Sequence, residues 1–175
     1  MHRRSFLRGT AATFGVWLMP GTAAAQQIPA DDGRLVAERV TAPAGYLVRP
    51  RPRAGTGVFT GPERYASVLV VHEGRGLDAW VEDMTRRLAL ESFMTFAPGT
   101  RAVDELHAAA LWLKKHPQST GRLGLLAFSS GGELARALAG RLGGDLHAVE
   151  VLDGGRPIED AAWERAALRF ITSLT

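Results

Sequence analysis

From residue 67 onward, short apolar runs alternate with longer stretches in which apolar positions recur every three or four residues. Ser67-Val68-Leu69-Val70-Val71 is almost continuously apolar, as expected of a strand covered on both faces. Residues 77–91 then place Trp80, Met84 and Leu88 on one stripe, which predicts an amphipathic helix. Phe93 to Ala97 reads as a strand ended by Pro98-Gly99. The next helix is predicted over 101–116, with Val103, Leu106, Ala110 and Leu113 inward. Lys114, Lys115 and His116 suit its C-terminal dipole, and Pro117 stops it. Strand 123–128, helix 131–142, strand 146–152 and helix 159–174 complete the pattern, with Trp163, Ala167, Phe170 and Leu174 as the last buried stripe. Ahead of this region, 34–41 and 46–49 read as an antiparallel hairpin around Ala42-Pro43-Ala44-Gly45, followed by a Pro-, Gly- and Arg-rich loop over 51–61. The expected fold is α/β: a mostly parallel, doubly wound sheet with right-handed crossovers and an N-terminal antiparallel hairpin.

The first 25 residues follow a different rule. Arg3-Arg4 precede Phe6-Leu7 and Arg8, an apolar stretch runs from about Ala11 to Met19, and Ala23-Ala24-Ala25 supplies small residues ahead of Gln26. This segment resembles a twin-arginine export signal, an address read by a receptor rather than an anchor. Its apolar run is too short to span a bilayer. The expectation is a chain cleaved near Ala25 and delivered to the periplasm or secreted, without a membrane anchor. Residues 26–33 read as a polar lead-in, and 34–175 as a single domain.

Charge and composition remove several alternatives. Without the leader's three arginines, 18 basic residues face 18 acidic ones, so the basic surplus belongs to the leader. A mature chain of zero formal charge is a poor nucleic-acid partner. Arg49, Arg51 and Arg53 cluster locally and read as a solvated strand end. The absence of cysteine excludes disulfides, thiolate metal sites and a cysteine nucleophile. No metal-ligand cluster is visible, and no cofactor is implied.

In open parallel sheets, reactive groups gather beyond the carboxyl ends of the strands. Ala127-Phe128-Ser129-Ser130-Gly131-Gly132 leads from a strand straight into a helix. A nucleophile elbow needs small residues two before and two after the nucleophile, because the turn is tight. Ala127 and Gly131 satisfy this for Ser129; for Ser130, Phe128 would stand in the first of these positions. The motif alone also fits a plain helix cap. The second strand end, Val71-His72-Glu73-Gly74-Arg75-Gly76-Leu77, puts a polar pair and a glycine-rich turn after the apolar strand. Here a histidine can serve as a base or simply organise the loop.

These residues carry a resemblance. His72-Glu73-Gly74-Arg75-Gly76-Leu77, then Glu82-Asp83 and Arg86-Arg87-Leu88-Ala89, is similar to the H-E-x-R-G-L and E-D-x-x-R-R-L-A stretches of the dienelactone hydrolase family of α/β-hydrolases. His116-Pro117 through Thr120-Gly121-Arg122-Leu123-Gly124 resembles the family's approach to its elbow, and Trp163-Glu164-Arg165 through Phe170 its closing helix. The resemblance implies a truncated α/β-hydrolase fold acting on a small-molecule ester or lactone. It places Ser129 at the nucleophile, Ser130 and Gly74 N–H groups in the oxyanion hole, and Glu73 beside the resting nucleophile.

Three departures bear on activity. Serine replaces the family's cysteine and needs a general base. Only Gly99 to Ala102 remain where the family has a longer insert lining its pocket; apolar walls left open there would favour self-association into a homo-oligomer. The family's C-terminal histidine is missing. His147 begins its strand, and at about 3.3 Å per residue it lies roughly 16 Å from the strand's carboxyl end. His72 is therefore the candidate base, with Glu73 or Asp153 orienting it; an aspartate before Gly154-Gly155 also fits turn chemistry. Two readings stand: a serine hydrolase, or a catalytically inactive binding module or gene remnant that keeps the fold.

Replacing Arg3 and Arg4 together with lysine is expected to leave the precursor in the cytoplasm. The wild-type mature chain is expected to begin at Gln26. Cell fractionation with N-terminal sequencing checks both, and undiminished export of the double variant would contradict the leader reading.

Overall fold

Apolar continuity at residues 66–71 makes that strand the centre of a six-stranded sheet, since only a position sheltered on both faces satisfies it. The computed structural model describes residues 28–52, 63–72, 76–128, 131–152, 158 and 160–175. In chain order the elements are β1 (Leu35–Thr41), β2 (Ala44–Pro50), β3 (Tyr65–Val71), α1 (Ala79–Leu90), β4 (Met94–Pro98), α2 (Val103–Lys114), β5 (Ser119–Phe128), α3 (Gly131–Leu142), β6 (Ala148–Leu152) and α4 (Asp160–Leu174). The sheet order is β1-β2-β4-β3-β5-β6. β4, β3, β5 and β6 run parallel, while β2 is antiparallel to both β1 and β4. This is the α/β architecture expected from the sequence, hairpin included.

Side chains leave the two central strands alternately to opposite layers, as the pleat requires. Leu69, Val71, Leu123, Leu125 and Ala127 pack under α2 and α3. Val68, Val70, Leu126 and Phe128 pack under α1 and α4, with Met84, Leu88, Trp163 and Phe170. The predicted helix stripes face inward, although Trp80 and Val103 are only half-buried. Helix α1 starts at Ala79, where the Asp78 carboxylate accepts the Val81 N–H at 2.8 Å.

Two differences from the sequence expectation have a clear physical cause. β5 begins at Ser119 rather than Leu123, because Tyr65 donates its N–H to the Gln118 carbonyl and a buried hydrogen bond joins the Ser67 and Ser119 hydroxyls at 2.9 Å. Polar residues thus fill sheet positions where apolar periodicity gave no signal. The lead-in is also more than a polar tail. Ile28 donates its N–H to Asp83 Oδ1 at 2.5 Å, and its carbonyl accepts from Arg86 Nε at 2.7 Å. Arg86 also donates to the Tyr46 hydroxyl at 3.0 Å. Both charged residues are buried, so each is matched to a specific partner.

Arg49 and Arg51 stand at the strand end as expected, Arg51 exposed, and both have partners there. Arg49 pairs with Glu38, and Arg51 donates to the carbonyls of Gly33 and Leu35 at 2.8 and 3.0 Å. Arg53, the third of the cluster, lies outside the described residues.

Gly45 lets the hairpin lie flat on β4. A Cβ there would fall 2.3 Å from the Phe96 ring and 2.6 Å from the Ala97 carbonyl oxygen. Gly45→Ala is expected to lower stability by about 1–3 kcal/mol through overpacking. Gly140→Ala, on an open helical surface, is expected to be neutral or stabilising by up to about 1 kcal/mol. Paired thermal melts test the contrast.

Candidate active site

The register of the parallel strands aligns their carboxyl ends. Val71 lies opposite Ala127, and Phe128 opposite Leu152, so His72 and the segments after Phe128 and Leu152 leave the sheet along one edge. Ser129, Ser130, Glu73, Gly74 and Asp153 lie outside the described residues.

At the elbow the described flanks are tightly packed. A Cβ on Gly131 would fall 3.3 Å from the Val71 carbonyl oxygen and 3.8 Å from the Ala127 Cβ. The positions two before and two after Ser129 therefore face each other, and the second also abuts the neighbouring strand's backbone. Phe128 is turned to the other face of the sheet, where Trp80 meets it edge-on with centroids 4.6 Å apart. Gly132 faces Val151 of β6, with a Cβ there falling 3.2 Å from a Val151 methyl group. Small residues at 127, 131 and 132 thus admit helix α3 close above the sheet.

His72 is buried, 2% exposed. Its Nε2 lies 2.8 Å from the Pro98 carbonyl oxygen. A carbonyl only accepts, so Nε2 is the donor in this contact. Among the described residues Nδ1 has no hydrogen-bond partner. The Nε2 contact points towards β4, which flanks β3 on the side away from β5. Nδ1 is the ring nitrogen that this contact leaves unengaged, and it is itself buried. Pro98, recognisable in the sequence as a strand terminator, gave no hint that its carbonyl would hold this ring.

His147 lies where strand direction predicts, at the amino end of β6, with its Nδ1 accepting the Leu123 N–H at 3.3 Å. Displaced titrations among the described side chains occur at that same end of the sheet. Burial, then the Glu63 carboxylate, pushes the Tyr65 phenol up to about 12. Burial, then Arg49, lowers the His116 imidazole. These groups stand at the starts of β3 and β5, the opposite end from the elbow.

Asp83 and Arg86, both buried and both bonded to Ile28, were not singled out from the sequence as a structural group. Its signal was present in charged residues on the helix flank that also carries Met84 and Leu88. The two residues hold Ile28 and Tyr46, away from the elbow.

No protein-family model matches the chain, and no curated protein matches it by sequence. Solved structures do match. A protein from Klebsiella pneumoniae assigned to the dienelactone hydrolases superposes with a TM-score of 0.55 at 18% identity, covering 80% of this chain and 82% of that one. A dienelactone hydrolase-like promiscuous phosphotriesterase from metagenomic libraries gives a TM-score of 0.52 at 19% identity, over 81% of this chain and 78% of that one. The esterase Est22 gives 0.51 at 15% identity, over 75% of this chain and 49% of the esterase. At these identities the likeness concerns architecture: the chain has an α/β-hydrolase fold similar to those of dienelactone hydrolases and esterases.

Proposed function

We propose that the chain is a serine hydrolase of the dienelactone hydrolase type, acting on small esters or lactones in the periplasm after loss of its leader. The observation that supports this most directly is the packing of Gly131 against Ala127 and the Val71 carbonyl. A helix cap alone needs no such approach, whereas an elbow that presents Ser129 above the sheet does.

In this reading the Ser129 hydroxyl attacks the ester carbonyl while His72 Nδ1 takes its proton. The Nε2–H stays on the Pro98 carbonyl and fixes the tautomer, with Glu73 or Asp153 adding charge. Backbone N–H groups of Ser130 and Gly74 hold the oxyanion. Collapse of the tetrahedral intermediate expels the alcohol, which takes the proton from His72, and water then releases the acid by the same steps. A neutral carbonyl stabilises an imidazolium less than a carboxylate does, so turnover is expected to be slow beside that of a full triad.

A second reading is favoured by one observation: the Nε2 contact of His72 is to β4. This makes the ring a brace between strands, in a binding module with no chemistry.

A fluorophosphonate probe separates the two. Labelling is expected at Ser129 and not Ser130, and Ser129→Ala is expected to reduce hydrolysis of a short-chain aryl ester by several orders of magnitude. No labelling of the folded mature chain between pH 6 and 9 would favour the binding module.

Further variants test the supporting geometry. His72→Gln is expected to remove most turnover while His147→Gln leaves it unchanged. Gly131→Val is expected to abolish labelling and to lower the melting temperature, because its side chain would meet the Val71 backbone. Turnover unchanged by His72→Gln would remove His72 from the mechanism.

A further inference from the structure

The two edges of the sheet differ. On β1, Glu38 and Arg39 place charges along the strand, in ion pairs to Arg49 and Glu82, and Arg51 covers the Leu35 carbonyl. Such charges discourage another strand from pairing there. At the other edge, β6 is Ala148-Val149-Glu150-Val151-Leu152 and, among the described residues, pairs only with β5. Its single charged residue is already neutralised by Arg169 of α4, 3.1 Å away. The large apolar residues exposed among the described ones, Val149, Leu168 and Ile171, all lie on this strand and on α4.

We propose that β6 pairs antiparallel with β6 of a second copy of this chain, joining two sheets into one. The strand is self-complementary about Glu150. A two-fold axis there sets Val149 opposite the partner's Val151 and Ala148 opposite the partner's Leu152. The two Glu150 carboxylates would meet on the α4 face, like charges that would repel if left alone. Each brings its own Arg169, already paired with its Glu150 and 68% exposed, so that its guanidinium can reach the second carboxylate as well. The centre of the interface therefore holds two guanidinium groups and two carboxylates. A partner of other sequence would have to supply this balance, whereas a second copy contains it. The symmetry is that of an isologous dimer, and it turns the two carboxyl edges in opposite directions. The inference does not depend on whether Ser129 is catalytic.

The test uses the cysteine-free mature chain. Residues facing each other across an antiparallel pair have Cα atoms about 4.5–5.5 Å apart, within disulfide reach. Glu150→Cys is therefore expected to form a covalent dimer on mild oxidation. Val149→Cys, displaced about 8 Å from its own copy by the same register, is not. Val149→Lys is expected to raise the dimer dissociation constant by at least about tenfold in sedimentation equilibrium, with an unchanged circular dichroism spectrum confirming that it folds. A wild-type chain that sediments as a monomer at its highest soluble concentration would overturn the proposal. So would a dimer indifferent to Val149→Lys, or equal cross-linking of the two cysteine variants.

Discussion

The parallel pairing of β3 with β5 is the constraint on which the rest of the molecule depends. Both strands are buried on both faces across this pairing, so their backbone N–H and C=O groups have no recourse to water and must satisfy each other. That requirement fixes the register, and the register levels the carboxyl ends at Val71 and Ala127. Once they are level, α3 returns over the sheet so closely that a Cβ at residue 131 would press on the Val71 carbonyl at 3.3 Å. The candidate nucleophile turn is thus a geometric outcome of how two apolar strands pair.

Much of this was legible in the sequence because it rests on short-range patterns. Apolar runs and period-3.6 apolar positions located the six strands and four α-helices among the described residues, and Pro98 and Pro117 marked where elements stop. The preference for Ser129 over Ser130 followed from the sizes of Ala127 and Phe128. Strand order could not be read the same way. Inserting β4 between β2 and β3 depends on crossover geometry rather than on residue type.

Polar residues inside the sheet and beneath α1 were the least legible. Ser67 and Ser119 bond each other, and Thr95 places its hydroxyl 2.9 Å from the Thr85 carbonyl and 3.1 Å from that of Val48. Each looks like an interruption until its partner, distant in sequence, is known. The same applies to His72, whose chemistry depends on which nitrogen the Pro98 carbonyl engages. Periodicity describes a surface to be buried, but says nothing about where a donor will find its acceptor.

The clasp on Ile28 bears on the order of events during synthesis. Its two hydrogen bonds connect residues 55 and 58 positions apart, so the segment at Ile28 has nothing to hold until α1 has been made and docked. Closing so long a loop carries an entropic cost that only an already assembled sheet can offset. The earliest-made part of the domain is therefore among the last to settle. Its capture marks the moment at which the hairpin, α1 and the central strands have come together.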